Sequence, residues 1–333
     1  MKQLSAIIIA RNAGKYLENI LSDILKQDYP NSDLEIILVD GTSSDNTLDI
    51  MKEFKNNHPE IDTKILINRK KILSSGWNIA LSNLSGKVIL RLDANSRIPS
   101  DFFIKNMETL NNGYDIVGGE TSTKIDEDFN TVIVAESSRF GGSPAGFRNP
   151  GKPRFVDTLA YAAYKREVFK IVGGYDERLV RTEDNDMHYR MKKAGFKLFY
   201  NPEIKSWHIP RSSLTRLLIQ KYSNGFWIGI TLGIQPACFN LRHFVPLIFI
   251  IAMISLFIIG ILWSIWLPLI SFMSLYFAVA LFFTLKSNKI FLSLPSIFLL
   301  MHLAYGTGTL LGLIFMPYFL TQNIHYKVPL PIK

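Results

Sequence analysis

Three long apolar runs in the last third of the chain constrain its fold more than any other feature. They lie at about 244–263, 267–285 and 294–316, and the first holds twenty residues without a charge. A helix of about 20 apolar residues spans the hydrocarbon core of a bilayer. The sequence therefore predicts three transmembrane helices within 241–318, followed by a tail over 319–333.

The distribution of charge separates the same region from the rest of the chain. Glu203 is the last acidic residue, and the nine lysines and arginines that follow it account for the whole net charge of +9. An acid-free cationic segment suits either nucleic acid or an anionic membrane surface. Because the apolar runs occupy this segment, we expect a membrane as its partner and no nucleic acid.

Basic residues next to the apolar runs predict their orientation. Arg242 precedes the first run, and Lys286 and Lys289 lie between the second and the third. Such residues favour the cytoplasmic side, which would place residues 1–240 in the cytoplasm and, if all three runs cross, the C-terminus outside. The lone Cys238 forms no intrachain disulfide, in agreement with a cytoplasmic domain. The sequence thus predicts a multi-pass protein of the cytoplasmic (inner) membrane.

The first 210 residues predict a separate folded domain. Strand-like apolar runs at 4–10, 34–40, 64–68 and 87–92 alternate with helical patterns. This alternation is typical of an α/β fold with a Rossmann-like, mostly parallel sheet flanked by helices. No GxGxxG follows the first strand and the sequence has no GxxxxGK[ST], which disfavours a dinucleotide dehydrogenase and a P-loop enzyme.

Each of the four strand-like runs ends in polar residues. These are Arg11-Asn12, Asp40, Asn68-Arg69 and Asp93 with Asn95. Ligands collect at the carboxyl ends of parallel strands, so we expect these side chains to meet in one crevice, although each of them could also cap a strand or a helix. On an extended backbone Asp93 and Asn95 lie on the same side, and their oxygens suit a hard cation.

A second candidate site lies at the start of a predicted helix that runs from about Glu183 to Gly195. Glu183, Asp184 and Asp186 crowd its first turn, where the helix dipole favours anions. Taken alone, this is also an ordinary acidic helix start. The preceding stretch 139–154 is rich in glycine, proline and arginine, a composition typical of a substrate-binding loop.

Five stretches, in this order, carry a resemblance to a known family. They read AIIIARNAGKYLENILSDILKQDYP, EIILVDGTSSDNT, GWNIALSNLSGKVILRLDAN, GGYDERLVRTEDNDMHYRMKKAG and HIPRSSLTRLLIQKYSNGFW. Over about residues 4–230 the chain resembles the family 2 inverting glycosyltransferases of the GT-A fold, and its last block looks most like the membrane-attached succinoglycan-biosynthesis type. The resemblance implies a nucleotide-sugar donor, expected to be a UDP-sugar, and a polyprenyl-diphosphate-linked glycan as acceptor in exopolysaccharide or cell-surface glycan synthesis.

The resemblance also implies a metal site and a donor site. Asp93 matches the first position of the family's DxD motif and would bind Mg²⁺ or Mn²⁺, while the neutral Asn95 replaces its second carboxylate and His208 is the candidate third ligand. Asp40 matches the first residue of a nucleotide-contacting aspartate pair, whose second member is here Gly41. The remaining residues expected at the donor are Ala10, Arg11 and Asn12 at the nucleobase or ribose, and Arg69 and Asn78 at the ribose and diphosphate.

For the acceptor side, the family's paired acidic residues match Glu183 and Asp184, with Asp184 as the catalytic base. Further residues expected at the acceptor are Arg148, Arg211, Gln220 and Trp227. The segment QKYSNGFW lacks the Gln-x-x-Arg-Trp pattern of processive synthases, so transfer of one sugar is expected. Leu214–Ile234, within a segment over 211–240, has the pattern of an amphipathic helix at the membrane interface.

Two alternatives remain open at this level. One is a polyprenyl-phosphate glycosyltransferase, whose acceptor is the lipid phosphate itself and which would not need Asp184 as a base. The other is an inactive sugar-nucleotide-binding scaffold of a membrane assembly complex, which Asn95 in place of an aspartate favours.

Overall fold

The chain folds into two compact units. The computed structural model describes residues 2–123, 131–142, 150–210, 213–287, 292–323 and 326–328. The first unit comprises Met1–Lys124, Ala145–Ile209 and Tyr326–Lys333, and the second comprises Ile125–Pro144 and Pro210–His325. The predicted catalytic domain over 1–210 thus corresponds to most of the first unit, which also takes in the last residues of the chain.

The described part of the first unit alternates strands and helices. Its strands are β1 (Leu4–Ala10), β2 (Leu34–Asp40), β3 (Asp62–Ile67), β4 (Val88–Asp93), β5 (Ser96–Arg97), β6 (Ile116–Thr123), β7 (Arg154–Val156), β8 (Ala163–Lys165) and β9 (Leu198–His208). The helices of the chain up to β9 are α1 (Gly14–Leu25), α2 (Thr47–Asn57), α3 (Leu73–Leu81), α4 (Phe102–Asn111), α5 (Thr131–Ser137), α6 (Arg166–Val172) and α7 (Glu183–Lys193), of which α5 belongs to the second unit.

One mixed sheet joins these strands. Their order is β3-β2-β1-β4-β8-β6-β9-β5, and β7 also pairs with β9. The long strands run parallel to one another, and only the short β5, β7 and β8 run antiparallel to their neighbours. This confirms the α/β prediction. In the register of β1, Ala10 lies opposite Asp40 and Ile9 lies opposite Asp93, so the polar strand ends share one edge of the sheet.

Helices cover both faces of the sheet because the strand side chains alternate between them. In β1, Leu4, Ala6 and Ile8 pack in a core with residues of α1, α2 and α4. Ile7 points to the other face, where it packs in a core with residues of α3, α6 and α7. Each fully buried side chain of this size contributes roughly 1.5–3 kcal/mol, so both faces hold the site-bearing strand ends in place.

The second unit is helical over its described residues. Besides α5 it contains α8 (Leu214–Thr231), α9 (Val245–Trp263), α10 (Leu267–Leu285) and α11 (Leu294–Gln322). Three helices in the described part of the chain, α9, α10 and α11, are long and apolar enough to cross a membrane. The last of them continues beyond the predicted end at Met316, through Pro317, because apolar residues follow the proline and extend its packing face. The predicted tail therefore begins later than expected.

Candidate active site

The structure brings together Asn95 and His208, which are far apart in sequence. The short strand β5 follows Asn95 and pairs with the end of β9, which places Ser96 opposite His208. As a result, Asn95 Nδ2 lies 3.4 Å from His208 Nδ1. The backbone N–H of Ile209 donates to the Asn95 carbonyl at 2.9 Å. Tyr161 presents its hydroxyl to the same imidazole nitrogen, also at 3.4 Å.

These residues fit a cation that is held partly by its substrate. Within the described residues there is no group of three His, Cys, Asp or Glu side chains close enough to hold a metal. The Asp93 side chain is 37% exposed and offers a carboxylate, Asn95 offers an amide oxygen, and His208 beside it offers an imidazole. Mg²⁺ is commonly bound by one or two carboxylates together with substrate phosphates, and this donor set suits that arrangement.

A buried arginine, Arg91, lies directly behind Asp93. Both residues lie on β4, two positions apart, and therefore on the same face. Arg91 is 9% exposed, its Nε lies 3.5 Å from Asp93 Oδ1, and its guanidinium lies over the Trp77 ring, 5.7 Å from the centroid. Burial of a charged group is costly unless it is paired, so this cation needs the acidic groups around it.

The charges around Arg91 connect the two candidate sites. Burial acts to lower the pKa of Arg91, but Asp93, Tyr175, Asp184 and Glu183 act in the opposite direction and raise the pKa well above its usual value. The two sites are also linked through β8, since Tyr164 lies opposite Ile89 of β4 and its hydroxyl lies 3.0 Å from the His188 Nε2 of α7. The aspartate at the end of β4 and the acidic pair at the start of α7 therefore act on one guanidinium.

Glu183 is the most perturbed carboxyl group of this site. It begins α7 and is 3% exposed. Its Oε2 atom is buried and has no hydrogen-bond partner among the described residues. Burial and the neighbouring charge of Asp184 raise the pKa of Glu183 to about 8, against the opposing effect of Arg91. The Glu183 carboxyl is therefore protonated at neutral pH, whereas Asp184 is only partly buried and accepts a hydrogen bond from the Asn185 N–H at 2.9 Å.

Asp186 and His188 of α7 have structural partners. Asp186 forms an ion pair with Arg190 at 2.8 Å. His188 lies between the hydroxyl groups of Thr158 and Tyr164, each 3.0 Å from a ring nitrogen. Burial lowers the pKa of His188 to about 3, so this imidazole is neutral and supplies no charge to the site.

At the expected nucleotide end, the loop after β2 folds against the turn after β1. Both carboxyl oxygens of the buried Asp40 accept from the Ser43 N–H at 3.2 Å. Asn12 has a φ of 52° and its side-chain oxygen accepts from the Ser44 N–H at 2.8 Å. A Cβ at Gly41 would lie 2.9 Å from the Arg11 Cβ. A side chain at position 41 would therefore require Arg11 to shift.

Asn78 holds the loop that leads to α7. Its Nδ2 donates to the Tyr175 carbonyl and to a Glu177 carboxyl oxygen, both at 2.9 Å, and its Oδ1 accepts from the Tyr175 N–H at 2.7 Å. Arg69 is exposed at the turn after β3. Their assignment to the ribose and diphosphate stays a prediction, as do the roles of Ala10, Arg11 and Asn12.

The residues expected at the acceptor are only partly described. Arg148 and Arg211 lie outside the described residues. Gln220 and Trp227 belong to α8 in the second unit, where the Trp227 ring packs edge-on against Phe319 at 5.6 Å. Sequence reasoning missed Arg91 and His188, although an arginine inside the apolar strand run ILRLD was a usable signal.

Comparison with known proteins identifies relatives over most of the chain. The model of glycosyl transferase family 2 matches residues 5–173. A dolichyl N-acetyl-alpha-D-glucosaminyl phosphate 3-beta-D-2,3-diacetamido-2,3-dideoxy-beta-D-glucuronosyltransferase of Methanococcus voltae is 28% identical over 94% of this chain and 98% of its own length. The succinoglycan biosynthesis protein ExoA of Rhizobium meliloti is 26% identical over 72% of this chain and 73% of its own.

A solved structure shares the fold at low sequence identity. The mannosyltransferase PcManGT from Pyrobaculum calidifontis, in complex with GDP-Man and Mn²⁺, superposes with a TM-score of 0.65. The match covers 94% of this chain and 87% of the other, with 16% identity. The likeness shows a common GT-A-like architecture, in which a mixed sheet is followed by apolar helices.

Proposed function

Because this chain belongs to glycosyl transferase family 2, we propose that it transfers one sugar from a nucleotide-sugar donor to a hydroxyl group of a lipid-linked glycan, with inversion. The expected donor is a UDP-sugar. The Methanococcus voltae relative, which aligns over nearly the whole chain, is named for a dolichyl-linked sugar acceptor, and the Rhizobium meliloti relative is named for succinoglycan biosynthesis. The first name supports a sugar on a polyprenyl carrier as the acceptor, and the second supports a role in glycan synthesis.

The observation that carries the proposal is that β8 links the strand that ends in Asp93 to the helix that begins with Glu183 and Asp184. Tyr164 of β8 lies opposite Ile89 of β4, and its hydroxyl lies 3.0 Å from the His188 Nε2 of α7, as expected if the donor diphosphate and the acceptor hydroxyl meet in one cleft. In the proposed reaction Asp184 takes the proton of the acceptor hydroxyl, whose oxygen forms a bond to the anomeric carbon. The bond from that carbon to the diphosphate breaks on the opposite face, and the nucleoside diphosphate leaves with the electron pair.

The proposed metal site consists of Asp93, Asn95 and His208. A bound Mg²⁺ or Mn²⁺ would balance the charge that develops on the departing diphosphate. The chain supplies one carboxylate and two neutral ligands, so we expect the metal to bind tightly only together with the donor. The protonated Glu183 lies beside Asp184 and can donate a hydrogen bond to the acceptor without adding a negative charge.

Transfer from labelled nucleotide sugars tests this function. Purified protein is supplied with polyprenyl-linked glycan extracts, with and without EDTA and added Mn²⁺, and the new linkage is analysed. We expect EDTA to abolish the transfer and added Mn²⁺ to restore it. The His208→Ala variant should need a higher Mn²⁺ concentration for the same rate of transfer. Transfer to polyprenyl phosphate alone would instead support the lipid phosphate as acceptor. Donor binding without turnover of any acceptor would support a scaffold.

Replacement of the proposed base gives the sharper test. Asp184→Asn should reduce transfer about 10²–10⁴-fold, which is the usual contribution of a general base, while donor affinity measured by calorimetry stays close to that of the wild type. Asp49→Asn is the matched control, since the Asp49 side chain is 81% exposed. Turnover of the Asp184→Asn variant at the control rate would remove Asp184 from this role.

A further inference from the structure

The chain leaves the first unit before the apolar helices and returns to it after them. Ile209 and Tyr326 both belong to that unit. The Tyr326 hydroxyl accepts a hydrogen bond from the Glu177 N–H at 2.6 Å, and the guanidinium of Arg178 lies over its ring, 5.0 Å from the centroid. Burial raises the pKa of Tyr326 to about 12. Tyr326 is thus attached to the loop that carries Asp176, Glu177 and Arg178.

This attachment limits the number of membrane crossings. A segment whose two ends are attached to one folded unit begins and ends on the same side of a bilayer, and therefore crosses it an even number of times. Three helices have the length and composition to cross. If all three crossed, as the sequence led us to expect, Tyr326 would lie on the side opposite to Glu177. The contact between these residues is incompatible with that arrangement.

Of the three apolar helices, α11 is the one that does not cross the membrane, because it packs along its length against α8. A Cβ at Gly225 would meet the Tyr305 carbonyl oxygen. The same test places Gly229 against Leu313, and Gly233 against Met316. Residue numbers rise together on both helices, so they run parallel. Close approach through glycine is a common way for helices to pack in or at membranes.

The parallel direction excludes a crossing by both helices. Between α8 and α11 the chain contains α9 and α10, which are joined by only three residues, 264–266, and therefore cross as a pair or not at all. If α8 crossed the membrane, α9 and α10 would return the chain to the side on which α8 ends. A crossing α11 would then run in the direction opposite to α8, and the two helices could not pack in parallel. Arg216 and Lys221 in α8 also oppose its burial in hydrocarbon.

The pair α9 and α10 has the features of a crossing hairpin. Each helix is 19 residues long, or about 28 Å at 1.5 Å per residue, close to the thickness of the hydrocarbon core. Trp263 and Trp266 flank the turn between them, where interfacial aromatic residues are favoured, and the Trp266 ring packs onto Gly260. Arg242 and Lys286 lie at the other end of the hairpin.

We propose that the α9–α10 hairpin alone crosses the membrane, and that α8 and α11 lie together along the membrane surface on the side where the hairpin begins and ends, with their apolar faces in contact with lipid. Exposed apolar side chains of α11, such as Ile314 and Phe315, are then covered by acyl chains rather than by protein. This arrangement does not depend on the identity of the sugar or of the acceptor.

Labelling of single cysteines from one side of sealed vesicles tests whether the number of membrane crossings is even. Cys238 is first replaced by serine, and cysteines are introduced at exposed positions by Asp62→Cys in the catalytic unit, Ile265→Cys in the hairpin turn and Val328→Cys after Tyr326. An impermeant maleimide should label the cysteines at positions 62 and 328 from the same side of the membrane and the cysteine at position 265 from the opposite side. Labelling of 328 from the side opposite to 62 overturns the proposal, and so does labelling of 265 from the side of 62.

The depth of α11 provides a second measurement. Nitroxide labels are attached at exposed positions by Leu300→Cys, Thr307→Cys, Ile314→Cys and Tyr318→Cys in reconstituted vesicles, and their depth is determined from collisions with oxygen and with a polar relaxant. A helix along the surface gives depths with no net trend over the 18 residues. A crossing helix would give a trend of about 1.5 Å per residue, roughly 27 Å in total, and that result would contradict the proposal.

Discussion

Arg91 is the residue on which the charges of the site depend most directly. Its removal leaves Asp93 and Asp184 without their buried cation, and the loss of one member of a buried ion pair usually costs about 3–5 kcal/mol. We therefore expect Arg91→Met to lower the thermal unfolding midpoint strongly and to weaken donor binding. Arg91→Lys, which keeps the charge, should lie between this variant and the wild type.

The control for this prediction is Arg139→Met, because Arg139 is exposed. It should unfold at the wild-type temperature. If Arg91→Met unfolded at that temperature too, the guanidinium would not hold the acidic groups together.

Glu183 should make stability depend on pH. Its carboxyl has a pKa of about 8 in the folded protein, against an ordinary value of 4.5, so the unfolded chain releases a proton that the folded chain retains. The stabilisation is complete below about pH 4.5 and is lost as the pH rises to about 8. It amounts to a few kcal/mol, at about 1.4 kcal/mol per pKa unit.

Unfolding midpoints measured between pH 5 and 8.5 test this. Glu183→Gln should show a flatter pH dependence than the wild type, whereas replacement of the exposed Glu203 by glutamine should leave the dependence unchanged. If the unfolding midpoints of the wild type and of Glu183→Gln had the same dependence on pH, a group other than Glu183 would be responsible for that dependence.

At the residue scale, the sequence predicted the residues that end strands but not those that lie beneath them. Asn95 and His208 were both named as metal ligands from their motifs, and the structure places them side by side. Arg91 was missed because apolar patterning treats a charged residue inside a strand as exposed. Its burial depends on acidic groups that come from α7, more than 90 residues later in the chain, and a local pattern does not contain that information.

At the scale of elements, the seam between α8 and α11 depends on the absence of side chains at its glycines. A Cβ at Gly312 would meet the Phe226 carbonyl oxygen, so Gly312→Leu must separate the two backbones. We expect this variant to lose much of its yield in folded form and to elute as aggregate in size-exclusion chromatography. Thr307→Leu in the same helix is the control, since Thr307 is exposed. Normal elution of Gly312→Leu would show that the seam tolerates widening.

The strands and helices themselves were largely predictable. β1 and β2 have the predicted bounds, since buried apolar runs of strand length followed by polar turns leave little ambiguity. The seam was not predicted, because glycines within α8 and α11 indicate close approach but do not name the partner helix. The third apolar run forms a helix that is long and apolar enough to cross a membrane, as the sequence predicts.

At the scale of the whole molecule, Tyr326 attaches the end of the described chain to the catalytic unit. Tyr326→Phe removes the hydrogen bond to the Glu177 N–H but keeps the ring under Arg178. A hydrogen bond of this kind contributes about 0.5–1.5 kcal/mol, so exchange of the Glu177 amide should become about two- to tenfold faster. Hydrogen exchange followed by mass spectrometry measures this, with Tyr318→Phe in α11 as the control. Unchanged protection at Glu177 would mean that the tail is not held there.

The return of the chain to Tyr326 has a consequence for biosynthesis. The sheet is complete once β9 has left the ribosome, before any of α9, α10 or α11 has been made, so the catalytic unit can fold while the hairpin is still being inserted. Tyr326 is made after these helices and, in the proposed arrangement, reaches its site only if the hairpin has come back to the side from which it departed. A nascent chain that inserts with an odd number of crossings cannot bring Tyr326 to the Glu177 N–H and the Arg178 guanidinium.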